Sequence, residues 1–320
     1  MEVFPVMTSV LEFRNVGFAH GVQTIFDRLS FSIKQGETVA LMGPNGIGKT
    51  TLLQLAAGLL RPAAGEILVQ GRELKQWSRR QLSSCVALVP QSLEVPFAFR
   101  VEEIVAQGRV PHLRRLGGLC SNDIEAIENA MEAVDVTKMR NRVFSELSGG
   151  ERQRVKIAIG LAQQPKIMLL DEPTQHLDLG RQIELMALLR RLVERGLTIL
   201  AAVHDLALVR ESCSSGIMLL PDAPAISGSL AELLRPDLLE RAFSVEAAGL
   251  NRYLAREPLT MREDHPFSPG PDLADGNGKN QEWKGEWKEL RDRLLRREQA
   301  CRRWIRHPQK PHRGRFGEQE

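Results

Sequence analysis

The sequence predicts an α/β fold with a parallel sheet, a small antiparallel β lobe before it and a helical insert within it. Apolar and polar residues alternate around Leu11 and Phe13 and again around Phe31 and Ile33, which is typical of half-buried strands. Continuous apolar runs then alternate with helical patterns, which is typical of a parallel sheet. Helix-spaced apolar residues within 100–143 indicate the insert.

The elements of the predicted sheet follow one another along the chain. A further short strand is expected at 66–69, and no internal repeat is visible. The apolar runs that predict the parallel strands are 39–42, the start of 86–91, 167–170 and 198–203. The patterns that predict the helices between them are about 49–58, 150–163 and 181–195.

The composition is that of a soluble globular protein, with 42% apolar and 26% charged residues among 320. The four cysteines lie far apart and form no CxxC pair, so we expect neither a disulfide framework nor a zinc site, and a reducing cytosol fits. No run reaches about 18 apolar residues, so we expect no membrane span, and we see no signal peptide. A net charge of +3 gives no argument for nucleic acid as a partner.

The chain divides into a main domain, 8–250, and a C-terminal part of different composition. Residues 258–281 are rich in Pro, Gly, Asp and Asn and predict a flexible linker. Residues 282–306 are a candidate basic amphipathic helix, and 307–320 are expected to be a disordered tail. The segment 281–315 holds 12 Lys and Arg against 5 Asp and Glu, and three of the four tryptophans. The alternatives for the helix are binding to an anionic membrane surface, packing on its own domain or a partner, and no role.

A glycine-rich loop follows the first apolar run. The string 43-GPNGIGKT-50 fits the pattern GxxxxGK[ST], in which glycines let the backbone wrap closely around phosphates. We expect Lys49 to reach the β and γ phosphates of a nucleotide and the Thr50 hydroxyl to bind Mg²⁺. The residues predicted to hold the nucleotide at this loop are Gly43, Pro44, Asn45, Gly46, Ile47, Gly48, Lys49, Thr50 and Thr51.

Polar side chains follow three other apolar runs. Asp171 is expected to hold Mg²⁺ through water, and Glu172, directly after it, to polarise an attacking water. The amide of Gln91 is expected to reach both the metal and the water. His204 can donate a hydrogen bond to a γ-phosphate. The sequence therefore predicts Glu172, His204 and Gln91 as catalytic residues and Thr50, Gln91 and Asp171 as metal ligands.

A second helix start is also suited to a phosphate. In 147-LSGGERQ-153, Ser148 precedes the paired glycines Gly149 and Gly150 at the start of a predicted helix. The free N–H groups and the positive dipole end of such a helix attract anions. One chain therefore carries two helix starts that suit a phosphate, far apart in the sequence.

In their order along the chain, these motifs resemble those of ABC-type ATPases, the nucleotide-binding subunits of transporters. The glycine loop, Gln91, 147-LSGGERQ-153, 167-IMLLDEP-173 and His204 match the family's motifs, and the resemblance covers about residues 10–250. It implies ATP and Mg²⁺ as cofactors, ATP hydrolysis coupled to transport, and an ABC-type P-loop core in the main domain.

The resemblance also implies partners. Two copies would pair head to tail, so that ATP on one glycine loop is covered by Ser148, Gly149 and Gly150 of the other copy, with Asp178 at the seam. A helical subdomain at about 92–150 would dock on the membrane-spanning partner. The homodimer would lie under two integral membrane permease subunits, as a cytoplasmic protein peripheral to the inner face of the cell membrane.

Two positions differ from the family's usual pattern. Family members place an aromatic residue before the second strand of the β lobe to stack on adenine, and His20 falls at that place, with Phe18 as the alternative. The sequence TQHLD stands where TSALD is commoner, which makes Gln175 a departure.

The insert carries the string 108-GRVPH-112, which resembles the ATPases of metal-chelate importers for ferric siderophores, haem or cobalamin. Such importers receive cargo from a periplasmic or surface substrate-binding protein, a partner only indirectly. Val110 stands where the subgroup has a tyrosine. We expect Arg109 and His112 to serve partner docking or helix capping rather than substrate binding. The alternatives are an importer ATPase for another cargo and a non-transport ABC ATPase.

Overall fold

A computed structural model describes residues 9–95, 97–113, 118–221 and 223–244. The predicted linker 258–281, the candidate helix 282–306 and the predicted tail 307–320 lie outside these residues. So do both ends of the predicted main domain 8–250. Those boundaries stay predictions.

The strands and helices expected from the sequence are all present, together with others that were not predicted. The strands are β1 (Ser9–His20), β2 (Gln23–Lys34), β3 (Thr38–Met42), β4 (Ala64–Val69), β5 (Arg72–Glu73), β6 (Val86–Val89), β7 (Ile167–Asp171), β8 (Thr198–Ala202), β9 (Ser215–Leu220) and β10 (Ala223–Ser229). The α-helices are α1 (Lys49–Ala56), α2 (Arg79–Ser83), α3 (Val101–Val105), α4 (Ser121–Ala133), α5 (Gly149–Ala162), α6 (Leu179–Glu194), α7 (Leu206–Ser212), α8 (Leu230–Leu233) and α9 (Pro236–Phe243). Short 3₁₀ helices lie at Leu74–Gln76, Ala106–Arg109, Thr137–Met139 and Phe144–Glu146.

The β lobe is a four-stranded antiparallel sheet in the order β2-β1-β4-β5. Leu11 pairs with Ile33, and Phe13 with Phe31, so the alternating apolar residues of both strands share one buried face. The rings of Phe13 and Phe31 stack with centroids 4.5 Å apart. The two strands thus pair because their apolar faces are buried together.

The main sheet has six strands in the order β10-β9-β3-β8-β7-β6. From β9 to β6 the strands are parallel, and β10 is antiparallel at the edge. The carboxyl ends of β3, β6, β7 and β8 therefore lie along one edge. Ligands of open α/β sheets bind at that edge, where loops from several strands converge.

Apolar side chains on both faces of the main sheet are buried. In β3, Val39 and Leu41 pack with the β lobe and α1, while Ala40 and Met42 pack with the insert, α5 and α6. A strand covered on both faces has no polar side to show, which explains its continuous apolar sequence. None of the helices in the described ranges is long and apolar enough to cross a membrane.

The predicted insert is helical but not one continuous helix. In the described part of the insert, α3 and α4 are separate α-helices, and the 3₁₀ helix Ala106–Arg109 follows α3. Ile127, Met131 and Val134 are fully buried and pack in the same core as α5. Their helical spacing therefore reflects packing of the insert on the main domain.

Candidate functional site

The glycine-rich loop joins β3 to α1, and two of its glycines have no room for a side chain. Gly48 has φ 108° and caps α1, and a Cβ there would lie 2.7 Å from Ile25 Cγ2. Gly43 has φ 146°, and a Cβ would lie 2.9 Å from the Leu219 carbonyl oxygen. Both backbone conformations favour glycine. The start of β2 and the end of β9 thus hold the loop in shape.

Lys49 is the first residue of α1 and its side chain folds back over the loop. Its Nζ donates hydrogen bonds to the carbonyl oxygens of Gly43 and Pro44, both at 2.9 Å. Only 5% of the residue is exposed. Burial lowers the pKa of Lys49, and the nearby carboxylates of Glu172 and Asp171 offset part of that effect. An anion at the loop would relieve the desolvation of this ammonium group.

Thr50 and Asp171 join the loop to the end of β7. The Thr50 hydroxyl donates to Asp171 Oδ2 at 2.8 Å. The other oxygen, Oδ1, is buried with no hydrogen-bond partner, and burial raises the pKa of this carboxyl group. A buried oxygen without a partner is destabilising unless it receives a ligand. Hydroxyl and carboxylate oxygens suit Mg²⁺, so this pair fits a divalent cation.

Glu172 lies at the centre of the site, next to Asp171. Its backbone has φ 48°, a left-handed conformation that is uncommon for residues other than glycine and concentrates at functional sites. One carboxylate oxygen lies 2.5 Å from His204 Nε2, and the other accepts from Gln91 Nε2 at 2.9 Å. The structure thus brings together the three residues predicted as catalytic, which follow β6, β7 and β8.

Two further side chains hold Gln91 and were not predicted as site residues. Gln175 Oε1 accepts from Gln91 Nε2 at 2.5 Å. Lys156 of α5 donates to the carbonyl oxygens of Gln91 at 2.7 Å and Pro90 at 3.3 Å. Gln175 was visible in the sequence as a departure from TSALD. Nothing in the sequence marked Lys156, because its role depends on α5 lying beside β6.

Replacing Lys156 with Met is expected to lower the ATP hydrolysis rate at least about tenfold, since charged hydrogen bonds contribute about 1.5–3 kcal/mol. The substitution keeps the aliphatic stem but frees the backbone of Gln91. ATP affinity should stay unchanged because the glycine loop is untouched. Steady-state kinetics give both values. Lys166→Met is the matched control, since that exposed ammonium donates a long hydrogen bond to Gln70, at 3.5 Å, and contacts no residue of the site among those described. Equal rates in the two variants would contradict the role of Lys156.

The second helix start caps itself. Ser148 Oγ accepts from the Glu151 N–H at 3.4 Å, and the Ser148 N–H donates to Glu151 Oε2 at 2.7 Å. This reciprocal capping box fixes the first turn of α5. A Cβ on Gly149 would meet nothing within 4 Å. The chain's own packing therefore does not explain a glycine at that position.

Asp178 lies beside this helix start. It caps α6, with its Oδ1 accepting from the Arg181 N–H at 2.9 Å. A Cβ on Gly150 would lie 2.7 Å from Arg181 Cδ, so the first turns of α5 and α6 are neighbours. Among the described residues, no hydrogen bond joins Ser148, Gly149 or Gly150 to the glycine-rich loop. The chain's own hydrogen bonds therefore do not join these two helix starts in the part that the structure describes.

The aromatic candidates lie at the tip of the β lobe. His20 ends β1 and is exposed, whereas Phe18 is only 9% exposed and belongs to the lobe's core. The two rings meet edge to face with centroids 4.9 Å apart. The His20 ring is therefore exposed to solvent, and the Phe18 ring packs against it from the core of the lobe.

Comparison with known proteins agrees with this geometry. A family model described as ABC transporter matches residues 26–175. The iron(3+)-hydroxamate import ATP-binding protein FhuC of Bacillus subtilis is 34% identical over 255 residues, which cover 79% of this chain and 95% of the relative. The hemin import ATP-binding protein HmuV of Rhodopseudomonas palustris is 38% identical over 250 residues, covering 75% and 92%.

A solved structure is also similar along most of its length. It is an inward-facing conformation of a metal-chelate type ABC transporter, with a TM-score of 0.67 and 31% identity. The match covers 75% of this chain and 90% of that one. With the glycine loop, the Asp171–Glu172 pair and the capped helix start in place, the chain belongs to the ABC transporter family, as one of its ATP-binding proteins.

Proposed function

We propose that this protein is the ATP-hydrolysing subunit of an importer that takes up an iron chelate, such as a siderophore or haem complex, or a related metal complex. One observation carries the enzymatic part: Glu172 lies between His204 and Gln91, beside the phosphate-binding Lys49. The names of the similar proteins, which import iron-hydroxamate and hemin, support the cargo class.

In the proposed reaction the residues of the glycine-rich loop bind the phosphates of ATP, and those at the strand ends orient and polarise the attacking water. Lys49 turns from the loop carbonyls to the β and γ phosphates, which are stronger partners for an ammonium group. Thr50, Asp171 and Gln91 would hold Mg²⁺, which would supply positive charge to stabilise the phosphate oxygens. Glu172 orients and polarises the attacking water, and His204 donates a hydrogen bond to the γ-phosphate.

The site is completed by a second copy of the chain. Ser148, Gly149 and Gly150 of one copy cover the ATP bound by the other, with Asp178 at the seam between them. The free space around Gly149 supports this arrangement. A homodimer with two ATP molecules closes on binding and opens after hydrolysis, which can drive movement in attached subunits.

The exposed ring of His20 stacks on the adenine. It stands at the tip of the β1–β2 hairpin, and the β2 residues Ile25 and Phe26 pack against the loop glycine Gly48. The hairpin tip is thus tied to the phosphate site. An imidazole offers a smaller stacking face than tyrosine, and the edge contact from Phe18 helps to fix its orientation.

The partners follow from the family. Two integral membrane permease subunits carry the cargo, and a periplasmic or surface substrate-binding protein delivers it to them without touching this chain. The ATPase dimer is cytoplasmic and peripheral on the inner face of the cell membrane. Nucleic acid is not a partner. An importer ATPase for a different cargo is the alternative.

Growth under iron limitation tests the cargo. A strain without this gene is supplied with one iron source at a time: free salt, haem and several siderophores. We expect growth to fail on one chelate and to be restored by the wild-type gene but not by Lys49→Ala, which removes the phosphate contact. Normal growth on every source would contradict an iron-chelate cargo and favour the alternative.

A further inference from the structure

The GRVPH string lies against the carboxyl end of α5, the helix whose amino end carries Ser148. Arg109 donates to the Ala162 carbonyl oxygen at 2.7 Å and to Gln164 Oε1 at 2.9 Å. Its guanidinium therefore caps the Ala162 carbonyl group, one of the last carbonyls of α5, which lack intrahelical partners. The positive charge also suits the negative end of the helix dipole. Only 4% of Arg109 is exposed, so its side chain is engaged within the chain, which favours capping over docking.

A buried carboxylate fixes this guanidinium. Asp123, in the first turn of α4, accepts from Arg109 Nε at 2.9 Å. Burial alone would raise the pKa of Asp123, but hydrogen bonds from Cys120 and Arg109 outweigh it and hold the pKa below its ordinary value. The carboxylate is therefore charged at neutral pH. Arg109 thus ties α5 to α4, the main helix of the insert.

Two further residues of the string contact the same helix. His112 Nε2 lies 2.9 Å from the Gln163 carbonyl oxygen. A Cβ on Gly108 would lie 2.8 Å from Ala162 Cβ and would also overlap the Ile159 carbonyl oxygen. Glycine therefore lets the string lie directly on α5.

The other side of the string is held by the main domain. Arg80 of α2 donates to the carbonyl oxygens of Pro111 at 2.7 Å, His112 at 3.1 Å and Leu113 at 2.7 Å. The Gln163 side chain donates to the Ser83 carbonyl oxygen, also at α2. The carboxyl end of α5 therefore makes hydrogen bonds with both the insert and the main domain.

We infer that Arg80, Gly108, Arg109, His112 and Asp123 form a clamp that positions α5, so that its amino end meets the ATP held by the second copy. The inference rests on the proposed two-copy site. A helix of 14 residues is stiff and about 20 Å long. A change at its carboxyl end therefore moves Ser148 at the other end. The clamp residues are positioning residues, since none of them belongs to the predicted nucleotide or metal site.

The test measures two quantities separately: ATP binding by a single copy, and formation of the ATP-bound dimer by two copies. In a full-length Glu172→Gln background, His112→Ala is compared with its parent by analytical ultracentrifugation with ATP and Mg²⁺. We expect the protein concentration that gives half dimer to rise about fivefold, as for the loss of one hydrogen bond. Binding of a fluorescent ATP analogue to the monomer should stay unchanged, which also shows that the variant is folded.

Three further variants sharpen the result. His112→Gln restores a donor and should recover most of the dimer, whereas Arg80→Ala, at an exposed side chain, should weaken it in the same direction. Arg190→Ala is the matched control, because it removes a similar 2.7 Å bond to the Glu211 carbonyl oxygen, at the end of α7. This control should dimerise like the parent.

The outcomes are distinct. Dimers of unchanged stability in both His112→Ala and Arg80→Ala, or an equal loss in Arg190→Ala, would overturn the clamp and leave the proposed function in place. A parent that stays monomeric with ATP would overturn the two-copy site and the clamp with it.

Discussion

Replacing Glu172 with Gln is expected to lower ATP hydrolysis at least about a hundredfold, since a positioned general base contributes roughly 10²–10⁴. The amide has the shape of the carboxylate but is a poor proton acceptor, so water is no longer polarised. ATP affinity should stay within about twofold because Lys49 and the glycine loop are unchanged. ATP turnover and fluorescent nucleotide binding provide the two readings.

The same substitution should trap the closed dimer, because ATP remains bound between the two copies. Glu194→Gln is the matched control: this carboxylate lies exposed at the end of α6, away from the site. A Glu172→Gln protein that hydrolysed ATP at the normal rate would overturn the assignment of Glu172 as the base. The contacts of Glu172 with His204 and Gln91 would then be structural.

An aspartate at Gly149 is the second change with a large expected effect. Its side chain enters open space in the single chain, and a negative charge in the first turn of a helix is stabilising. The protein should therefore fold with an unchanged thermal midpoint. In the dimer, however, the carboxylate would face the γ-phosphate of the other copy's ATP and repel it. Hydrolysis should fall more than about tenfold.

ATP binding by the variant's own glycine loop should remain normal, which distinguishes this loss from that of Lys49→Ala. A Gly149→Asp protein with wild-type turnover would show that the start of α5 does not approach a phosphate. A lower thermal midpoint would instead assign the loss of activity to folding.

The sequence places the three candidate catalytic residues at strand ends, because each follows an apolar run, and the structure brings their side chains together. Gln91, Glu172 and His204 all have this placement. The order of the strands was not predictable in the same way. β3 lies beside β8 rather than β6. The buried apolar side chains of these strands are alike, so the sequence does not show which distant segments pair.

Alternation along β1 could not distinguish the two aromatic candidates. Residues two apart share a face of a strand, so Phe18 and His20 have equal standing in the sequence. The difference arises where the lobe ends: Phe18 lies within its core, and His20 is beyond it. Tertiary packing decides which ring is free.

The side chains that support the site were also beyond the reach of sequence patterns. Lys156 contacts the backbone of Gln91 because α5 lies beside the end of β6. Arg109 and His112 were expected to serve docking or capping, and their contacts with the carboxyl end of α5 show capping. A single charged residue carries no sequence pattern that identifies its partner.

The central claim is that each ATP site is built from two copies, and mixing two inactive variants tests it most directly. Lys49→Ala lacks a working glycine loop but keeps its α5 start, and Gly149→Asp has the reverse defect. In a mixed dimer, one ATP site combines the intact glycine loop of the Gly149→Asp copy with the intact α5 start of the Lys49→Ala copy. The other site combines the two defective parts. Equal mixing should restore about a quarter of wild-type hydrolysis, since half the dimers are mixed and each has one whole site. If the mixture stays as inactive as its parts while mixed dimers form, each site lies within one chain and the account is contradicted.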